Sequence, residues 1–271
     1  MAESTRLTIP AVMGEIKQAC EFVMRAARHA GLDEHAAYEC ELAIDEVCTN
    51  IIEHGYEFNG EAQKIDIICE QVDERFTMVI LDDSPAFNPL LGPEPDPDTS
   101  LEDRKTGGWG VYFIKRLMDE ISYQQEDGRN RLLMVKHLQP LNAERAPRAK
   151  ISNHIASFEM GNGVCVVSLI GRLDSDFSLW ATEALSPHIH EGQRLLIVDM
   201  SGVNFITSNG IKVLVVAYKQ MRALGGNMVL AAISNRVSDV FAIVGLDTVF
   251  VTYRSLAEAI ATTTTAVKPT S

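Results

Sequence analysis

The sequence predicts an α+β protein of two modules, an α/β sandwich followed by a second α/β domain. Before residue 140, two helical apolar patterns lead into strand-like runs, one more helix and a final hairpin. This order is typical of helices packed on one face of a mostly antiparallel sheet. After residue 153, strand and helix patterns alternate, which is typical of a parallel or mixed sheet flanked by helices. A polar, basic stretch with few apolar residues separates the two patterns and indicates a linker.

The first module begins with a short predicted strand and two predicted helices. Its strands are predicted at residues 6–9, 64–70 and 75–81 and in a hairpin over 121–138. Asp33 is expected to cap the second helix. Asp127 and Gly128 are predicted to form the hairpin turn, since this pair readily adopts positive φ. A loop rich in Pro and Asp spans 84–104, before a helix predicted at 111–118. Loops of that length commonly serve as lids or binding elements.

The second module alternates regularly between the two kinds of element. Strands are predicted at 164–170, 195–200, 228–233 and 249–253, and helices at 179–190, 209–224, 236–244 and 256–261. These patterns place a first domain at residues 1–140, a linker at 141–152 and a second domain at 153–271. Both domains are of ordinary size.

Composition argues against several classes of function. The formal net charge is −13 and the pI is near 5.0. This balance argues against direct nucleic-acid binding, because a nucleic-acid-binding protein would show a basic stripe. The five cysteines are scattered singly, which predicts reduced, buried thiols rather than a disulfide framework. The N-terminus lacks the layout of a signal peptide. No apolar run approaches the ~20 residues that span a bilayer, so we expect a cytoplasmic protein without membrane contact.

Three segments of the first module carry candidate nucleotide-binding chemistry. Glu46 and Asn50 are four residues apart and project from one helix face, where a carboxylate can polarise a hydroxyl and an amide oxygen suits Mg²⁺. Asp82 follows a strand, where it can accept a hydrogen bond from an exocyclic amine such as that of adenine. The third segment holds glycines before a helix: Gly107, Gly108 and Gly110. There the backbone amides can meet phosphate. Each segment alone also fits an ordinary interpretation, a solvated helix face, a turn or a common helix start.

In this order, with the long loop before the glycines, the segments resemble the GHKL ATPase family over residues 6–138. The resemblance is closest to the anti-sigma-factor serine kinase branch of that family. It implies that Glu46 is the catalytic base, Asn50 the Mg²⁺ ligand and Asp82 the adenine contact. It further implies that the glycines belong to a lid that binds the phosphates of ATP.

Two other positions of the same motif follow from this resemblance. Arg104 or Lys105, just before the glycines, is expected to neutralise phosphate charge. Ser84 belongs to the adenine motif and stands where the family usually has glycine. If the backbone there has positive φ, serine would cost about 1 kcal/mol.

A second candidate site lies in the segment from Asp199 to Gly210. Its pattern runs from a strand through a turn into a helix, with Ser208 at the expected N-cap. A phosphate on that hydroxyl would meet free backbone amides and the helix dipole, although the position alone favours a plain capping serine. With the glycines at 171 and 225–226, the segment resembles the STAS family of anti-sigma-factor antagonists over 157–261. The resemblance implies that Ser208 is the phosphoacceptor, while its neighbours Thr207 and Asn209 differ from the usual motif.

Together the resemblances imply a partner-switching regulator of bacterial transcription that uses ATP and Mg²⁺ to phosphorylate a STAS serine, in cis or in trans. The implied partners are a sigma factor, a STAS antagonist protein and a cognate serine phosphatase, and a homodimer is also expected. Two alternatives stay open. One is a non-catalytic nucleotide-binding scaffold that docks a sigma factor or STAS partner. The other is an autoregulatory pair in which the antagonist occupies its own kinase until a third protein displaces it.

Overall fold

The computed structural model describes residues 3–57, 62–91, 95, 108–138, 154–161, 163–174, 181–182, 185–190 and 192–266. The described residues form two compact units, one up to residue 138 and one from residue 154 onward. The predicted linker and three predicted site residues lie outside the described part: Arg104, Lys105 and Gly107. Within that part, no helix has both the length and the apolar character needed to cross a membrane.

The first unit is a five-stranded antiparallel sheet with its helices packed against it. The strands are β1 (Glu3–Pro10), β2 (Lys64–Val72), β3 (Arg75–Asp82), β4 (Glu120–Glu126) and β5 (Arg129–His137). They lie in the order β1-β2-β3-β5-β4, with every neighbouring pair antiparallel. The helices are α1 (Ile16–His29), α2 (Glu34–Asn50) and α3 (Trp109–Leu117). The predicted sandwich is confirmed, and its first strand is longer than expected.

The core of this unit includes the side chains that point to one face of β3. Phe76, Met78 and Ile80 share one face of the sheet and are almost fully buried. Val23 and Ala27 of α1 are also without exposed surface. Each large apolar side chain buried in this way contributes about 1.5–3 kcal/mol to the free energy of unfolding. All five cysteines are described, buried and outside any disulfide, as the sequence predicts.

Helix α2 carries the candidate catalytic residue Glu46 on a buried face, while Asn50 at its end is half-buried. It begins where predicted, since the Asp33 side chain accepts a hydrogen bond from the backbone N of Ala36 at 2.8 Å. After Asn50 it continues into a π-helical turn, Ile51–Gly55, a distortion that is frequent at functional sites. Glu46 keeps only 2% of its surface exposed. The interpretation of its position as an ordinary solvated helix face is therefore wrong.

An ion-pair network joins β1, β2 and β5 beside the end of β3. The Asp66 carboxylate accepts hydrogen bonds from Arg6 at 2.7 Å and from the Thr8 hydroxyl at 2.6 Å. Arg129 bridges Asp66 at 3.0 Å and Asp83 at 2.7 Å. Burial alone would raise the pKa of Asp66, but the hydrogen bonds from Thr8, Arg6 and Arg129 outweigh it and lower the pKa. The ionised form of Asp66 therefore stabilises the fold.

We expect Asp66→Asn to destabilise the first unit by about 1–3 kcal/mol at neutral pH, because Arg6 loses its anionic partner and Arg129 keeps only Asp83. Since the pKa of Asp66 is lower in the folded state, its stabilisation is complete above the unfolded value near 3.8. It is lost as the pH falls through the folded pKa. Urea unfolding should therefore show a difference from the wild type that shrinks below pH about 4. Asp127→Asn, in an exposed turn, is the control; a difference that persists unchanged in acid would contradict the assignment.

The second unit is a five-stranded mixed sheet. Its strands are β6 (His154–Gly161), β7 (Val164–Leu173), β8 (Leu195–Ile206), β9 (Asn227–Ala231) and β10 (Thr252–Tyr253), in the order β10-β9-β8-β7-β6. Strands β7 to β10 pair in parallel and β6 pairs antiparallel to β7. The helices are α4 (Ser208–Ala223), α5 (Asn235–Ile243) and α6 (Leu256–Ala266). The predicted alternation is confirmed, while the helix expected at 179–190 lies partly outside the described residues.

Strand β8 is longer than predicted and changes the position of Ser208. Its pairing with β7 shifts register after Asp199, whose side chain accepts from the Ser201 backbone N at 3.0 Å, and the strand then continues to Ile206. The expected turn is therefore absent. Thr207 is the N-cap of α4 and Ser208 is its first helical residue. The prediction that Ser208 is the N-cap is thus wrong by one position, because the strand runs directly into the helix.

Candidate functional site

The first turn of α3 lies directly against the two candidate residues of α2. A Cβ atom placed on Gly110 would lie 2.5 Å from Glu46 Oε2 and 3.3 Å from Asn50 Nδ2. The first distance is shorter than any real Cβ contact, so only glycine fits there without a shift of Glu46. The fold therefore brings together a carboxylate, an amide and a helix N-terminus that the sequence separates by some sixty residues.

The N-terminus of α3 is held by a glycine in the left-handed region. Gly108 is the N-cap, with φ 89° and ψ −4°, a conformation that favours glycine. The helix begins at Trp109, two residues earlier than predicted, so Gly110 lies within its first turn. The amides of a first turn have no partner within the helix and are suited to anions. Trp109 is buried and packs edge-on against Tyr112, with ring centroids 5.6 Å apart, which fixes the helix start.

Asp82, the predicted adenine contact, is the last residue of β3. It is 5% exposed, and its Oδ1 atom accepts from the Ser84 backbone N at 3.0 Å and from Asn130 Nδ2 at 2.9 Å. Ser84 is also buried and does not occupy the left-handed region. The backbone penalty considered for serine at this position therefore does not arise.

Two residues that the sequence did not single out hold the turn after Asp82. The backbone N of Asp83 donates to the Tyr56 hydroxyl at 2.9 Å, and Arg129 donates to the Asp83 carboxylate at 2.7 Å. Burial raises the pKa of Tyr56, so its hydroxyl keeps its proton. The β3–β5 pairing, which aligns Asp82 with Asn130, brings Arg129 to Asp83, and no local pattern predicts that alignment.

In the second unit, the junction of β8 and α4 is packed against the end of β7. The Thr207 backbone N and hydroxyl both donate to the Leu173 carbonyl, at 3.0 and 3.4 Å, and Thr207 is 1% exposed. Its side chain makes no capping hydrogen bond to α4. Ser208, the next residue, is half-buried at the start of the helix. Thr207 therefore anchors the junction while Ser208 stays partly accessible.

The comparisons with known proteins agree with both units. Residues 9–136 match the model of the histidine kinase-like ATPase domain, and residues 156–259 match the STAS domain. The serine-protein kinase RsbW of Staphylococcus epidermidis is 30% identical over 114 residues, which cover 40% of this chain and 70% of that protein. RsbW of Halalkalibacterium halodurans is 28% identical over 142 residues, 51% of this chain and 85% of that protein. The structure of the anti-sigma factor antagonist SpoIIAA in its unphosphorylated form is 22% identical, covering 42% of this chain and all of that one, with a TM-score of 0.38.

A GHKL-type ATPase domain joined to a STAS domain defines the class of this protein as a partner-switching regulator with an ATP-using kinase domain. The chain belongs to the family of RsbW serine-protein kinases. The predicted α+β class and the predicted family resemblances are confirmed.

Proposed function

We propose that the first module binds ATP with Mg²⁺ and transfers the γ-phosphoryl group to a serine on a STAS domain, with Ser208 as the acceptor. The observation that carries this proposal is the packing of Gly110 on Glu46 and Asn50. It sets a helix N-terminus beside a carboxylate and an amide, and phosphoryl transfer requires these groups in one place.

Each group has a distinct proposed role. Asp82 accepts a hydrogen bond from the adenine amine, and the amide oxygen of Asn50 would be a ligand of Mg²⁺. The metal would neutralise charge on the phosphates. The backbone amides around Gly108 and Gly110 hold phosphate oxygens. Gly107, Arg104 and Lys105 stay predictions, since they lie outside the described residues.

The transfer step balances in atoms and charge. The serine oxygen forms a bond to the γ-phosphorus as the bond to the bridging oxygen of ADP breaks. The serine proton passes to Glu46, whose burial keeps competing water away from the carboxylate. ADP leaves with the electron pair of the broken bond. Catalysis thus consists mostly of positioning and electrostatics, as is general for phosphoryl transfer.

Charge supports release of the product. Residues 1–138 contain 27 Asp and Glu against 13 Lys and Arg. A phosphate on Ser208 adds about −1.5 to −2 charges, which an acidic kinase module repels. A dephosphorylated STAS domain binds the kinase and frees a sigma factor, and a serine phosphatase resets the system. We propose a sigma factor, a STAS partner and this phosphatase as the partners.

The experiment is incubation of the purified chain with Mg²⁺ and ATP, followed by intact-mass measurement and peptide mapping. We expect one phosphate on Ser208, absent from the Ser208→Ala variant and absent when Mg²⁺ is chelated. A first-order rate independent of protein concentration indicates transfer in cis, and a rate that rises with concentration indicates transfer in trans. A chain that binds ATP but phosphorylates neither itself nor any added STAS protein contradicts the kinase proposal and favours the scaffold.

A further inference from the structure

In the described part of the chain, the Asp82 carboxylate accepts hydrogen bonds on one of its two oxygens. Oδ1 accepts from the Ser84 backbone N at 3.0 Å, from the Ser84 hydroxyl at 2.5 Å and from Asn130 Nδ2 at 2.9 Å. Among the described residues, every hydrogen bond to this carboxylate falls on Oδ1. Three donors saturate that oxygen, whereas a carboxylate offers about four acceptor positions over its two oxygens. A further donor must therefore approach Oδ2.

The Ser84 hydroxyl takes part in this arrangement because Gly55 leaves room for it. A Cβ on Gly55 would lie 2.7 Å from Ser84 Oγ and 2.9 Å from Ser84 Cβ. Apart from those two atoms, the nearest neighbour is Ile51 Cγ2 at 3.8 Å, an ordinary contact. Gly55 has no positive φ, so its backbone alone does not require glycine. The space at Gly55 thus serves the Ser84 side chain.

A second chain of hydrogen bonds fixes Ser84 from the sheet. Asn130 Nδ2 lies 3.1 Å from Ser84 Oγ and 3.0 Å from the Ser84 carbonyl oxygen. The Tyr123 hydroxyl donates to Asn130 Oδ1 at 2.6 Å, which orients the amide with its NH₂ group toward Asp82. Asn130 and Ser84 are both buried. The carboxylate is therefore held in one orientation by groups from β4, β5 and the turn after β3.

We propose that Ser84 is a positioning residue that sets the selectivity of the site for the adenine base. With Gly55 behind it and Asn130 beside it, Ser84 holds Asp82 Oδ1 so that Oδ2 faces the exocyclic amine of the nucleotide. This inference rests on the proposed function, since it needs ATP in this site. Ser84 itself touches neither the base nor the phosphates.

The test compares ATP with purine riboside triphosphate, which lacks the exocyclic amine, by calorimetric titration of the whole chain. For the wild type we expect ATP to bind roughly 10- to 100-fold more tightly, the range for one hydrogen bond to a charged group. Ser84→Ala keeps the Cβ and removes the hydroxyl. It should cut this ratio by about fivefold or more through weaker ATP binding, with the affinity for the analogue unchanged.

A second set of variants separates positioning from simple loss of packing. Gly55→Ala should weaken ATP binding in the wild-type background, because the new methyl group displaces Ser84. In the Ser84→Gly background the new methyl group would contact, among the described residues, Ile51 alone and should have no further effect. Gly14→Ala is the matched control, since no atom of the described residues lies within 4 Å of a Cβ there. Thermal unfolding of each variant shows whether the module stays folded.

The outcomes distinguish this inference from the proposed function. If the wild type binds neither nucleotide, the proposed function fails first. If the wild type prefers ATP and Ser84→Ala keeps the same ratio, the positioning role is wrong and the kinase proposal stands. Equal losses for Gly55→Ala in the two Ser84 backgrounds would also overturn the inference, because the two side chains would then act independently.

Discussion

Replacement of Glu46 by glutamine is expected to slow phosphoryl transfer to a STAS serine by roughly 10²- to 10⁴-fold, the usual contribution of a general base. Glutamine keeps the shape of the side chain, so it fits under Gly110, where a Cβ would already lie 2.5 Å from Glu46 Oε2. It cannot accept the serine proton. Single-turnover measurements with saturating ATP give the rate of the chemical step, and ATP titration gives the affinity.

If Glu46 is the general base, its replacement must lower the transfer rate without a matching loss of ATP affinity. We expect the ATP affinity of Glu46→Gln to stay within about tenfold of the wild type, since the Glu46 side chain contacts the acceptor hydroxyl and not the adenine ring of ATP. Glu21→Gln, on the exposed face of α1, removes the same charge away from the site and should leave both quantities unchanged. A Glu46→Gln variant that transfers phosphate at the wild-type rate would show that another group takes the proton.

Local chemistry made much of the fold predictable from the sequence. Asp33 caps α2 as expected, because a short side-chain acceptor directly before a helix can accept a hydrogen bond from a backbone N–H of its first turn. Asp127 and Gly128 adopt φ of 51° and 81°, as the predicted hairpin turn requires. The extension of β8 to Ile206 was missed, since its last residues pair with β7 across a register shift that no periodicity in β8 records.

The candidate site was predictable only where its groups belong to continuous motifs. The motif residues stand in recognisable order along the chain: Glu46, Asn50, Asp82 and the glycines at the start of α3. Asn130 lies 46 residues from Ser84 and reaches it only through the β3–β5 register. The role of Gly55 is equally hidden in the sequence, because it consists in leaving space for the Ser84 side chain. Such contacts depend on tertiary packing, and a single sequence carries no local signal for them.

Gly210→Ala is expected to destabilise the STAS module by about 2 kcal/mol or more, although alanine favours a helix over glycine by about 1 kcal/mol. A Cβ at this position would overlap the Leu173 carbonyl oxygen and lie 2.8 Å from Leu173 Cβ and 2.9 Å from Ile206 Cγ1. The carbonyl cannot retreat freely, since it accepts the backbone hydrogen bond of Thr207. Overpacking against backbone therefore outweighs helix propensity.

Hydrogen–deuterium exchange shows where in the STAS module the stability is lost. Faster exchange is expected in peptides from the end of β7 and the start of α4, with the first module unchanged. The rate of Ser208 phosphorylation should fall as well, because the junction that presents Ser208 is no longer fixed. Lys212→Ala, on the exposed side of the same helix, is the control and should leave exchange at the β7 end unaltered. Unchanged exchange in Gly210→Ala would mean that β7 and α4 separate at little cost, and that Thr207 alone anchors Ser208.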